Sequence, residues 1–126
     1  MDYIEYTVKV YANGNKEWYR NGELHREDGP AFEDANGYKE WYRNGKLHRE
    51  DGPAVEYANG DKIWYLNDKR HREDGPAVEY EDGYDAWYLN GKRLTESEHA
   101  AATKPVKELT VAEIEALLGY SVKVVK

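Results

Sequence analysis

One heptapeptide, His-Arg-Glu-Asp-Gly-Pro-Ala, occurs unchanged at residues 25–31, 48–54 and 71–77. Each copy puts an imidazole, a guanidinium and two carboxylates within four residues, the donor types of a divalent-cation site or an acid–base pair. A cation site would need His48 and Glu50 on one side of a regular strand. Pro30, Pro53 and Pro76 supply no N–H to a ladder, so a loop or bulge is expected there instead. In such a loop the histidine stacks on a cross-strand tryptophan, Asp51 closes its own Gly-Pro turn, and Arg49 pairs with a neighbouring carboxylate. This reading expects no metal and no cofactor. It leaves His25, His48, His71, Arg26, Arg49 and Arg72 as candidates for holding a small ligand, such as a nucleotide signal, between tryptophan, histidine and arginine side chains.

Other routes to catalysis lack material. The chain has no cysteine, and its two serines, Ser97 and Ser121, both lie near the C-terminus. The glycines recur singly at turns and form no phosphate cradle. Paired carboxylates need a closed pocket to raise one pKa, which a single-layer sheet does not offer. The expectation is a non-catalytic protein.

The elements that position these residues follow from a repeat. Trp18, Trp41, Trp64 and Trp87 are spaced by 23 residues, the period of one supersecondary unit in an array. Units run over 14–36, 37–59 and 60–82, with a partial unit at 83–94, so residues 1–94 form the array and 95–126 an appendage. Asn13-Gly14, Asn36-Gly37, Asn59-Gly60 and Asp82-Gly83 alternate with Asn21-Gly22, Asn44-Gly45, Asn67-Asp68 and Asn90-Gly91. Such pairs favour two-residue hairpin turns, because a type I′ turn needs positive φ at both central positions. Two turns per unit give a mainly β fold, an elongated antiparallel β-meander of hairpin repeats.

Two-residue turns also predict the register. Around Asn59-Gly60 they pair Tyr57 with Lys62, Glu56 with Ile63 and Val55 with Trp64. Around Asn67-Asp68 they pair Leu66 with Lys69, Tyr65 with Arg70 and Trp64 with His71. Alternation across a strand then divides the side chains between two faces. One carries the four tryptophans with Phe32, Val55, Val78 and the histidines; the other carries Tyr19, Tyr42, Tyr65 and Tyr88 with Leu24 and Leu47. The tryptophans are expected to supply the internal packing, which makes the four tyrosines the candidate partner-binding surface.

Composition limits the partners. Twelve Tyr and four Trp argue against a disordered chain despite its high charge. The net charge of -7 is the wrong sign for holding a phosphate backbone. No run of about 18 apolar residues could span a bilayer, and the N-terminal residues lack the basic and apolar regions of a secretory signal. No nucleic acid and no membrane are expected as partners, and the expected location is cytoplasmic.

Residues 7–94, with Trp41, Gly45, His48 and Gly52 and their equivalents one unit away, resemble the MORN family, and especially the variant MORN-like repeats of bacterial and phage proteins, including YwqK-type antitoxins. A standard unit has Gly directly after His, where this chain has Arg-Glu-Asp. The resemblance implies an extended β-meander serving as an interaction scaffold, without catalytic residues, and a neutralising role such as phage-encoded inhibition of a bacterial defence or toxin protein.

In the appendage, Thr95 with Glu98 and Thr110 with Glu113 are capping boxes, and Pro105 is expected to end the first helix. Val111, Ile114, Leu117 and Leu118 share a helical face, Gly119 is a C-terminal stop, and residues 120–125 read as a strand. This small α/β piece either caps the array or docks on another chain. Three functions stay open: a protein-interaction module, a small-ligand binder, and a structural repeat that assembles through its ends. Oligomeric state is open as well.

Overall fold

The computed structural model describes residues 3–104, 109–121 and 123. Among them the fold is mainly β, with fourteen strands and two short helices. The strands are β1 (Thr7–Val10), β2 (Lys16–Arg20), β3 (Glu23–Leu24), β4 (Phe32–Glu33), β5 (Lys39–Glu40), β6 (Tyr42–Arg43) and β7 (Lys46–Leu47). They continue as β8 (Val55–Glu56), β9 (Lys62–Ile63), β10 (Tyr65–Leu66), β11 (Lys69–Arg70), β12 (Val78–Glu79), β13 (Asp85–Leu89) and β14 (Lys92–Leu94). One antiparallel sheet runs in the order β1-β2-β4-β5-β8-β9-β12-β13-β14, with β3 attached to β2. The hairpins β6–β7 and β10–β11 stand apart from it as two-stranded sheets.

In the two middle units the tryptophan is the corner between the two kinds of sheet, whereas Trp18 and Trp87 lie within the continuous strands β2 and β13. Trp41 lies between β5 in the long sheet and β6 in the short hairpin; its N–H donates to the Ala54 carbonyl at 2.7 Å and its carbonyl accepts from His48 N–H at 3.0 Å. Trp64 does the same with Ala77 at 2.7 Å and His71 at 3.1 Å. Both backbone groups are satisfied while the strand changes partners, so the break carries no unpaired polar group.

The short hairpins match the expected turn. Asn21, Asn44, Asn67 and Asn90 all have positive φ, as do the residues that follow them, including Asp68 at 66°. Asp68 replaces the glycine of the other units, and its carboxylate accepts from Leu47 N–H at 2.7 Å. The pairs Tyr65↔Arg70 and Leu66↔Lys69 agree with the predicted register.

The other four turns do not. Tyr57 N–H donates to the Asp61 carbonyl at 2.9 Å, Gly60 N–H donates back to Tyr57 at 3.0 Å, and only the glycine has positive φ. This is a three-residue loop, a type I turn closed by a left-handed glycine. It slips the pairing by one residue, to Val55↔Ile63 and Glu56↔Lys62. A one-residue slip moves a strand's side chains to the opposite face. Val55 and Val78 therefore join Ile63 and Ala86 in the buried cluster, against which Tyr38, Leu47, Tyr65 and Tyr88 pack. The expected division is corrected accordingly: the valines belong with the tyrosines, and the tryptophans lie outside this cluster.

Toward the N-terminus the same face is polar. Glu17 and Glu40 stand where later units have Ile63 and Ala86, and tyrosine hydroxyls satisfy them. Tyr19 donates to Glu17 at 3.1 Å and Tyr38 to Glu40 at 2.9 Å. Burial first, then Glu40, pushes the Tyr42 phenol up to about 12 and raises Tyr38 further. An unfolded tyrosine ionises near pH ~10. The stability that these neutral phenols contribute is therefore complete below about pH 10 and is lost as pH rises from there through about 12. In a spectrophotometric titration, the last tyrosines should ionise together with the loss of β-sheet circular dichroism. Ionisation of every tyrosine near pH ~10 in a folded chain would contradict this.

At the C-terminal side, α1 (Glu96–Ala102) carries the Thr95–Glu98 capping box, which holds the Glu98 carboxyl below its usual range. It packs against β13 and β14. Its buried His99 donates through Nε2 to the Arg72 carbonyl at 2.6 Å. α2 (Val111–Leu118) has its own capping box, with Gly119 at φ 77° closing its end, and no residue of α2 is buried. The stop expected at Pro105 lies outside the described residues, as do 122, 124 and 125 of the strand expected over 120–125; residues 120, 121 and 123 are described and lie in no strand. No described helix is long and apolar enough to cross a membrane.

Candidate functional site

The heptapeptides form three equivalent loops whose geometry starts from the histidine. His25 is buried; its Nδ1 accepts from Asn44 N–H at 2.9 Å, and its Nε2 donates to Glu27 at 2.7 Å. An acceptor at Nδ1 defines the tautomer with hydrogen on Nε2. The bond to His25 is the main cause that holds the Glu27 carboxyl below its usual range. His48 accepts from Asn67 at 3.1 Å and His71 from Asn90 at 2.9 Å. Each histidine thus binds the turn of the following unit, a link that spans 19 residues in every case.

The arginine beside each histidine covers a tryptophan. Arg26, Arg49 and Arg72 hold their guanidinium carbons 4.0, 4.0 and 3.9 Å from the ring centroids of Trp18, Trp41 and Trp64. Arg72 also donates to Asp74 at 2.9 Å, to the Pro76 carbonyl at 3.1 Å and to Glu79 at 2.7 Å. The Arg72–Asp74 bond is the first cause holding the Asp74 carboxyl below its usual range. The glycine of the heptapeptide permits this seating, since a Cβ at Gly75 would stand 2.8 Å from the Arg72 guanidinium carbon. Stacking on tryptophan, expected of the histidines, is done by the arginines. The pairing of Arg49 with carboxylates holds, at 3.1 Å to Asp51 and 3.4 Å to Glu56.

Between consecutive loops lie open clefts. One of about 610 Å³ is lined by Trp64, His71, Arg72, Glu50, Asp51 and Glu73, among others. Its counterpart one unit earlier, about 310 Å³, is lined by Trp41, His48, Arg49, Glu27 and Asp28, among others. The clefts bring together the ligand candidates of consecutive units: Arg49 with His71 and Arg72, and Arg26 with His48 and Arg49. Carboxylates form the rims. Asp28, Asp51 and Asp74, each bonded to the arginine of its own loop, have side chains 83, 89 and 86% exposed and so open to solvent. No group of three or more potential metal ligands converges among the described residues.

The four candidate tyrosines lie on the other side. Tyr19, Tyr42, Tyr65 and Tyr88 are half-buried, and Tyr65 and Tyr88 pack on the core. Arg70 donates to the hydroxyls of both at 3.4 and 3.2 Å. Sequence reasoning missed the arginine–tryptophan stacks, although a signal was present: in three units an arginine follows the tryptophan by eight residues, and in the fourth Thr95 holds that place. No protein-family model, curated protein or solved structure matches the chain.

Proposed function

We propose that the chain is a non-catalytic interaction module that binds a protein partner along the tryptophan side of the array. The observation that carries this reading is the repetition of one cleft at consecutive units, each with a tryptophan–arginine floor and an exposed carboxylate rim. Rigid aromatic anchors surrounded by charge are the usual makings of an interface, and arrays present them as a continuous surface. The acidic rim favours a basic partner surface. Tyr65 and Tyr88 are committed to packing, so in this reading the tyrosine face supports the site rather than forming it. The resemblance to variant MORN-like repeats makes a bacterial defence or toxin protein, neutralised in the cytoplasm by a phage-encoded inhibitor, the first partner class to examine. A small ligand is the second reading, favoured by the 610 Å³ cleft with Trp64, His71 and Arg72 at its walls.

The test is affinity capture from bacterial lysate with mass spectrometry, comparing the native chain with a Glu50→Lys, Glu73→Lys variant. These side chains are 70 and 77% exposed, so their replacement should leave the melting temperature nearly unchanged. A stoichiometric partner captured by the native chain and lost by the variant is the expected result. Equal capture by both, or none by either, would overturn the reading.

A further inference from the structure

The fourth unit keeps its tryptophan and lacks the group that covers the other three. Trp87 follows Ala86 in β13 just as Trp64 follows Ile63 in β9, and Val78 pairs with both Ala86 and Ile63. Eight residues on, where Arg26, Arg49 and Arg72 stand in their units, the chain has Thr95, whose side chain instead caps α1. Among the described residues, arginines stack on Trp18, Trp41 and Trp64, and Trp87 has no counterpart.

The space is open. A cleft of about 380 Å³ is lined by Asp85, Trp87, Arg93, Leu94, Glu96 and Glu98, with Ala86 and Thr95. Asp85, Glu96 and Glu98 are exposed. The one cation of the lining, Arg93, is committed elsewhere: its guanidinium lies 5.9 Å from the Tyr84 ring centroid and donates to the Tyr84 hydroxyl. The cleft therefore offers an indole and carboxylates with, among the described residues, no guanidinium stacked on the indole. The three inner units show what such a surface holds, a planar guanidinium stacked at about 4 Å with carboxylates on its N–H groups. Guanidinium is well matched to this use, because it is weakly hydrated, permanently charged and flat enough to stack while it donates in its own plane.

We propose that the cleft over Trp87 is a recognition site for an arginine side chain of the partner protein, inserted where the chain's own arginine sits in the other units. This rests on the interaction-module reading and names the chemistry at one end of its surface. The appendage shapes the site, since the first turn of α1 supplies Glu96 and Glu98 to the cleft and His99 ties α1 to the Arg72 carbonyl.

The experiment follows the four tryptophan indole N–H signals of the full-length chain, labelled with nitrogen-15, during titration with the peptide acetyl-Gly-Arg-Gly-amide. A matched peptide with citrulline, the neutral isostere, serves as the control. The Trp87 signal, assigned with Trp87→Phe, is expected to shift saturably while the other three stay in place. Citrulline should weaken binding by about tenfold, the scale of a partly desolvated cation–π contact with its hydrogen bonds. Trp87→Leu should abolish binding; because that change could disturb β13, Asp85→Asn with Glu96→Gln is run beside it and should weaken binding while the fold is kept. No saturable shift at millimolar peptide, equal binding of citrulline, or equal movement of all four indoles would overturn the proposal. A partner captured equally by the native and Trp87→Leu chains would overturn this site and leave the interaction reading standing. Arginine-peptide binding with no captured partner would do the reverse.

Discussion

Replacing Ile63 with alanine is expected to lower the free energy of unfolding by about 2–4 kcal/mol, the range for a buried large-to-small change. Ile63 is 6% exposed and pairs with Val55 on one side and Val78 on the other, so its side chain fills the middle of a four-residue cluster. Its neighbours cannot collapse into the gap, because both valines are β-branched and held in the ladder. A chain of this size has about 5–15 kcal/mol of stability in all, so the loss should appear as a fall of about 10 °C in melting temperature. Calorimetry or a circular-dichroism melt checks it. The equivalent Glu17→Ala should cost less than about 1 kcal/mol, since Glu17 is only half-buried and its carboxylate is held by hydrogen bonds from tyrosine hydroxyls near the surface. Equal effects at the two positions would show that the buried cluster is not where the array is held.

Arg72→Ala should cost about 2–4 kcal/mol, combining a stacked cation with charge-assisted hydrogen bonds. The Arg72 side chain is 20% exposed and stacks on Trp64, and its loss leaves Glu79 and the Pro76 carbonyl without their donor. Arg72→Met keeps most of the bulk and separates packing from charge: recovery of most of the stability by Met would show that the stem, not the guanidinium, is what matters. The alanine variant also bares Trp64 in the manner of Trp87. Added arginine peptide should then shift the Trp64 indole signal as well, and raise the melting temperature of the variant more than that of the native chain. A variant that melts like the native chain would refute the assigned role of Arg72.

The unit, its length and its hairpin character follow from local residue choices alone. Trp18, Trp41, Trp64 and Trp87 set the period, and the Asn-Gly steps at 21, 44 and 90 specified type I′ turns through local backbone preference alone. Thr95 with Glu98 and Thr110 with Glu113 announced both helices, because a capping box is satisfied within one turn. What depended on contacts between units was not readable in the same way. Asn59-Gly60 has the composition of a two-residue turn and adopts a three-residue one, and the choice between them rests on which face Val55 can bury against Ile63 and Val78. That single residue of slip decided that tyrosines of one ladder, and not the tryptophans of the other, pack on the buried aliphatic cluster. What covers Trp18, Trp41 and Trp64 is likewise a matter of tertiary contacts, since the seat of Arg72 depends on Gly75, Pro76 and Glu79 converging on it from a folded loop. A dipeptide marks where a turn falls, because its backbone preference is local; loop length, facing and stacking are settled by burial over the whole sheet, which no short segment encodes.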